Sequence, residues 1–301
     1  MSGAFFLTDG GLETTLVFHQ GIDLPHFSAI DMMRKPDGVA SLRDYYRQYA
    51  EIARSVRAGF IFESPTWRSS PDWAPKLRLT DAEMTDLNRR SIELGEEIRG
   101  EFETSEMPVV ISGCIGPRGD GYSPDSLMTA DEAAEYHSTQ ANTFATTGAD
   151  MIAAITMNYV NEAVGVANAS KAARMPCAIS FTVETDGRLP TGASLKEAIE
   201  STDEITGSYP AYYLVNCAHT THFADILNDE PWVKRIRGLR ANASKKSHAE
   251  LDDSTELDIG DPAAFGREHG DIVAKCPHIN VLGGCCGTDT RHVKELAQVR
   301  S

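Results

Sequence analysis

DMIAAITMNYVNEAVGVANASKAARMPCAISFTV, Asp150 to Val183, contains the unit from which the chain is built. Asp150 to Thr156 and Ala178 to Val183 are short apolar runs of β type, and a longer stretch of helical length separates them. Two such runs joined in this way read as parallel strands with a crossover helix. Outward from this unit the same alternation recurs at Ala4 to Thr8, Gly59 to Glu63 and Pro108 to Gly113, and then at Tyr212 to Asn216, Arg235 to Ala241 and Ile279 to Gly283. Helix starts between the runs carry S/T-x-x-E capping boxes at Thr80 with Glu83, Thr129 with Glu132 and Ser194 with Glu197, while Asp261-Pro262 is an N-cap followed by proline. Eight such units in 301 residues favour a single α/β domain, a closed (β/α)8 TIM barrel over residues 1–301, rather than an open doubly wound sheet.

Composition narrows the partner classes. With 41% hydrophobic and 24% charged residues the chain matches ordinary globular usage, which excludes disordered and collagen-like classes. No run approaches the roughly 18 to 20 apolar residues of a membrane span, and MSGAFFLTDGG reads as a first strand rather than a secretory signal. A formal net charge of -16 repels phosphate backbones and anionic lipids, so neither nucleic acid nor membrane is an expected partner. Six cysteines are too few for a disulfide scaffold in a chain of this length, so a reducing, cytoplasmic setting without disulfides is expected. The adjacent Cys285 and Cys286 then read as metal ligands or as a redox pair. One compositional break, Ala243 to Pro262, is polar throughout and reads either as a solvated insertion or as a flap over the barrel mouth.

In such barrels the reactive groups come from the carboxyl ends of strands. Asp9 follows the first strand, Glu63 ends the second, Thr156 and Asn158 close the fourth, and Glu184 follows the fifth. Cys217 follows the sixth, Asn242 the seventh, and Cys285-Cys286 the eighth. Strands six and eight are separated by one strand, so the three thiols can converge on a single zinc ion, leaving its fourth position for water or substrate. No C-x2-C knuckle suggests a closed structural site, and Gly283, Gly284 and Gly287 are expected to let the chain turn tightly enough to aim consecutive cysteines at one ion.

DGGLETTL (Asp9 to Leu16), GCIGPRGDGY (Gly113 to Tyr122), VNC (Val215 to Cys217) and GGCCGT (Gly283 to Thr288) together resemble the zinc-dependent homocysteine S-methyltransferase family, over Thr8 to about Gln298. The resemblance implies zinc on Cys217, Cys285 and Cys286, with Asp9 and the Gly10-Gly11 backbone beside the thiol and Asn216 supporting the first ligand. The nucleophile it implies is the zinc-bound substrate thiolate, not a protein side chain. The partners are then a small-molecule thiol acceptor and a small cationic methyl donor, a sulfonium or quaternary ammonium. The family's strand-four pattern carries a glutamate before threonine that anchors the amino group of homocysteine. Here ADMIAAITMN places Ile155 there, so acceptor choice is expected to be relaxed or redirected.

Glu63, Glu184, Thr156 and Asn158 remain candidate substrate contacts, and Trp67, Trp73 and Tyr122 are candidates for cradling the donor cation or for plain packing. His219 and His222 are expected outside the ligand set. Cys177 and Cys276 are expected to pack as small apolar residues, and Cys114, at the end of strand three, could lie near the mouth. Two other functional classes fit the same residues: a zinc hydrolase on the same barrel, and a non-catalytic zinc- or thiol-binding relative. Barrels of this kind commonly form homo-oligomers.

Overall fold

The computed structural model describes residues 4–124 and 126–300. Its strands are β1 (Phe6–Leu7), β2 (Gly59–Glu63), β3 (Val109–Ile115), β4 (Met151–Met157), β5 (Cys177–Phe181), β6 (Tyr212–Asn216), β7 (Ile236–Ala241) and β8 (Val281–Gly284). They form a closed barrel in sequence order, completed where β1 pairs in parallel with β8 through Phe6 with Val281 and Leu7 with Leu282. All eight expected strands are present, with ends shifted by up to two residues. Side chains alternate along each strand, so Phe6, Ile61, Met151, Ala178, Tyr212, Leu214 and Val281 fill one layer inside the barrel. Their sequence neighbours, such as Leu7, Phe60, Phe62, Ile152, Ile179 and Leu282, face outward into the larger core shared with the helices.

The crossover helices begin where the sequence places their caps. Thr80, Thr129 and Ser194 each accept from the backbone three residues on in complete capping boxes, and Asp261 accepts from Ala263 and Ala264 at the start of Pro262–Lys275. One crossover departs from the repeat. After β6 the chain makes only the four-residue helix Thr220–Phe223 and two 3-10 turns before β7. Pro231 lacks a backbone donor and disfavours helix in the residue before it, which breaks any longer helix there. Buried Leu227, Trp232 and Val233 cover the barrel instead. The polar stretch 243–262 is also not plain loop: a fourth S/T-x-x-E box, Ser247 with Glu250, starts the short helix His248–Asp252.

Candidate metal centre at the barrel mouth

The sulfurs of Cys217, Cys285 and Cys286 all lie within 4.8 Å of one another at the carboxyl end of the barrel. Thiolates at about 2.3 Å around a tetrahedral ion sit about 3.8 Å apart, a spacing that three sulfurs confined to this region can reach only when all three are free thiols. The convergence is tight enough that Cys217 and Cys285 stand as a disulfide, with Cα atoms 5.4 Å apart, while Cys286 is free. This corrects the expectation of a chain without disulfides: two strand ends converging on one point bring two thiols to bonding distance as readily as to a shared ion. Metal binding by all three requires the pair to be reduced. Burial pushes the Cys286 thiol up to about 11, with the nearby Glu13 charge adding and a hydrogen bond with Tyr122 opposing. Without a metal this thiol stays protonated at neutral pH.

The glycines around the cysteines act in two ways. Gly287 has φ +78°, a left-handed turn immediately after Cys286. Gly283 and Gly284 lie within β8 instead, and turning is not their part. Gly11 is required by close approach: a Cβ there would sit 2.6 Å from the carbonyl oxygen of Cys285, so the DGG loop lies directly against the cysteine pair.

Beside the sulfurs a cavity of about 420 Å³ is lined by Asp9, Gly10, Gly11, Glu13, Glu63, Trp67, Arg68, Cys114, Tyr122, Ile155, Thr156, Arg240 and His248, among others. Its floor holds a buried charge cluster. Arg240, inside β7, places Nη2 2.5 Å from Asp9 Oδ1 and Nη1 3.9 Å from Glu63 Oε1, and Tyr45 donates its hydroxyl to Asp9 Oδ2 at 3.1 Å. Burial raises the Asp9 carboxyl above its ordinary value against the pull of Arg240. Burial likewise lifts Glu63 to about 7, the Arg240 charge opposing and the Asp9 charge adding. Glu63 Oε2 has no hydrogen-bond partner. Asp9 therefore borders the cavity, but its carboxylate is already engaged by a guanidinium.

The wall at β4 is apolar where the sequence signalled a departure. Ile155 packs with Ala153, Cys114 and Trp67 in a small cluster. The register between β4 and β5 shifts between Ala154 and Met157, a bulge that turns the next residue, Thr156, to φ +66°. Asn216 holds it there: its Oδ1 accepts from Thr156 N at 3.0 Å and from Ser180 Oγ at 2.6 Å, and its Nδ2 donates to Thr156 Oγ1 at 2.9 Å. The residue before Cys217 thus braces the wall opposite.

A family model for homocysteine S-methyltransferases matches residues 6–300. The chain belongs to the homocysteine S-methyltransferase family. A curated relative, homocysteine S-methyltransferase YbgG of Bacillus subtilis, is 25% identical over 314 residues, covering 96% of this chain and 92% of that protein. Among solved structures, the metallated form of the homocysteine methyltransferase MmuM from Escherichia coli superposes with a TM-score of 0.75 at 17% identity, covering all of this chain and 97% of its own. The oxidized form of that enzyme gives 0.74 at 19% identity, with the same coverage of both chains. At these identities the two structures establish the shared barrel.

Within this family member the remaining candidates divide. Trp67 and Tyr122 line the cavity; Trp73 does not, since Arg68 and Lys76 already occupy its faces at 4.7 and 4.1 Å. Asn158 lies behind the wall, donating Nδ2 to the carbonyls of Asp120 and Gly121. Cys114 is at the mouth, whereas Cys177 and Cys276 belong to the core. His219 Nδ1 accepts from Thr221 N at the start of its helix and its Nε2 faces Glu268 at 3.4 Å, while His222 bonds the Lys245 carbonyl; neither approaches the cysteine cluster. Burial pushes His219 down to about 4, against the Glu268 charge. Reading the sequence missed Arg240 and His248. His248 comes from the polar stretch, which borders the cavity through Ser244, His248, Leu251, Asp252, Ser254, Glu256, Leu257 and Asp258 while many of its other side chains face solvent.

Proposed function

We propose that the chain binds one zinc ion through the thiolates of Cys217, Cys285 and Cys286 and transfers a methyl group from a small cationic donor to the sulfur of a small thiol acceptor. The observation that carries this reading is the convergence of three sulfurs within 4.8 Å beside a cavity large enough for two small molecules, in a chain of a thiol-methylating family. Zinc, when bound, supplies a Lewis acid that favours the ionised form of a coordinated thiol.

The protein's own part is to bind and to orient. The Gly10-Gly11 backbone and the cysteine loop border the space where an acceptor sulfur reaches the cluster. Trp67 and Tyr122 offer aromatic faces, and Glu13, Asp120, Asp252, Glu256 and Asp258 line the same cavity with Arg68 among them, a mouth suited to a cation. Holding donor methyl and acceptor sulfur in line supplies much of the rate. The three anionic sulfurs weaken the acidification of water by the metal, which disfavours hydrolysis. Ile155 gives an ammonium group nothing to pair with at β4, and Arg240 already neutralises Asp9. The acceptor is accordingly a thiol selected less by an α-amino group than by fit to an apolar wall, with homocysteine as one member of the class.

A site that works with three reduced thiols fits a reducing compartment such as the cytoplasm, and residues 1–301 are proposed to act as one domain. No helix among the described residues is long and apolar enough to cross a membrane. A matrix of donors (S-methylmethionine, S-adenosylmethionine, betaine) against thiols, read by mass spectrometry for a gain of one CH2 on the thiol, tests the reading. Methyl transfer to at least one thiol, abolished by Cys217→Ala, is expected; no transfer in any cell with zinc-loaded, reduced protein would refute it.

A further inference from the structure

The polar stretch that borders the cavity is tied down at its base and at its tip. At the base, Ser244 Oγ donates to Asp258 Oδ2 at 2.7 Å, so residues 244 and 258 are held together. At the tip, the capped helix His248–Asp252 carries His248 inward until it is 7% exposed. Its Nδ1 lies 2.9 Å from Glu184 Oε1, and its Nε2 donates to the carbonyl oxygen of Cys217 at 2.6 Å. The ring also packs on Tyr122, with centroids 4.2 Å apart. Loops following β3, β5 and β7 therefore meet on one imidazole, and that imidazole holds the main chain of a proposed zinc ligand.

Cys217 needs holding. Its φ of +53° is left-handed, a conformation that costs a residue with a Cβ on the order of 1–2 kcal/mol and persists only when the surroundings impose it. Besides its disulfide with Cys285, the residue is fixed by Cys217 N donating to the Arg240 carbonyl at 3.1 Å and by Asn242 Nδ2 donating to the Cys217 carbonyl at 3.0 Å. Those two partners belong to β7 and the residue just beyond it, in place wherever the closing stretch lies. The remaining donor, His248, is the one carried on that stretch.

We infer that His248 is a positioning residue that couples closure of residues 244–258 over the cavity to the backbone geometry of Cys217. With the stretch seated, both acceptor lone pairs of the Cys217 carbonyl are occupied, and the direction of its thiolate toward Cys285 and Cys286 is set. With it lifted, the strained peptide loses a donor and can relax, loosening the sulfur triangle. Glu184 and Tyr122 orient the imidazole from the opposite side of the mouth. The consequence at the metal rests on the zinc reading above; the latch itself does not.

The test compares native protein with His248→Ala, His248→Gln and Glu184→Ala, all fully reduced. Gln keeps an N–H donor near the position of Nε2 while giving up the contact with Glu184. Two quantities are read: loss of zinc to a competing chelator from loaded protein, and proteolytic nicking within residues 244–258 of metal-free protein. For His248→Ala, zinc should be lost about 10- to 100-fold more readily, and nicking should be about tenfold faster. His248→Gln should return zinc retention to within a few-fold of native. Native retention and native nicking in His248→Ala would overturn the proposal, as would a Gln variant no better than Ala. If His248→Ala fails to fold, Glu184→Ala, which removes the partner of Nδ1, carries the test, with faster nicking expected and native behaviour in both readouts overturning the latch. A native protein that takes up no zinc refutes the zinc reading alone, because nicking of the metal-free variants still decides the latch.

Discussion

Glu63 shows what a buried carboxyl does at the floor of this site. Its ordinary value of 4.5 rises to about 7 because burial outweighs the help from Arg240. The folded state therefore holds this proton more tightly than the unfolded chain, and the Glu63 contribution to stability falls as pH climbs from about 4.5 to about 7, then levels off. Replacing it by glutamine removes that loss. Glu63→Gln should gain on native protein by about 2.5 kcal/mol between pH 5 and pH 8, measured by urea unfolding at the two values; equal pH dependence in both proteins would contradict the assignment. Arg240 could not be anticipated from its neighbours in the chain, since the partner it neutralises lies 231 residues away. Asp9 was legible through its DGG motif, but not that its charge would be spent on a guanidinium.

Among the elements, β4 carries the most specific consequence. Its bulge sets Ile155 into the cavity wall and turns Thr156 left-handed, and Asn216 in β6 keeps it so. Asn216→Ala would leave the Thr156 amide and Ser180 hydroxyl buried without this partner, and should destabilise the fold by about 1–3 kcal/mol, read from the shift of the urea midpoint; a loss well under this range would mean that the bulge holds itself. Ile155→Glu places a carboxylate on the same wall and should raise the preference for homocysteine over thiols lacking an amino group, measured as a ratio of kcat/KM values. An unchanged ratio would show that β4 does not select the acceptor. The strands and four of the helix starts were legible because alternation, capping boxes and an Asp-Pro N-cap are local patterns. The missing sixth helix and the inward turn of His248 were not, since a polar stretch carries no mark of which of its side chains finds a buried partner.

At the level of the whole molecule, one arrangement accounts for both states of the cysteines. A closed barrel with strands in sequence order sets the ends of β6 and β8 one strand apart, and the loops beyond them deliver three sulfurs to one point. Oxidation joins Cys217 to Cys285, and reduction leaves three thiols at this point. Oxidised protein should therefore fail to take up zinc, and a reductant that restores three titratable thiols at this site should restore uptake in step; zinc bound at full occupancy by the disulfide form would separate the metal from these residues. The barrel was legible from the strand pattern, and the convergence of the three cysteines from strand-end positions together with the family resemblance, because topology converts distant sequence positions into neighbours by a fixed rule. The central claim is tested most directly by elemental analysis of protein purified under reducing, anaerobic conditions, native beside Cys217→Ala. The account predicts one zinc per native chain and its loss from the variant. Sub-stoichiometric zinc in the native protein, or an unchanged content in the variant, would contradict it.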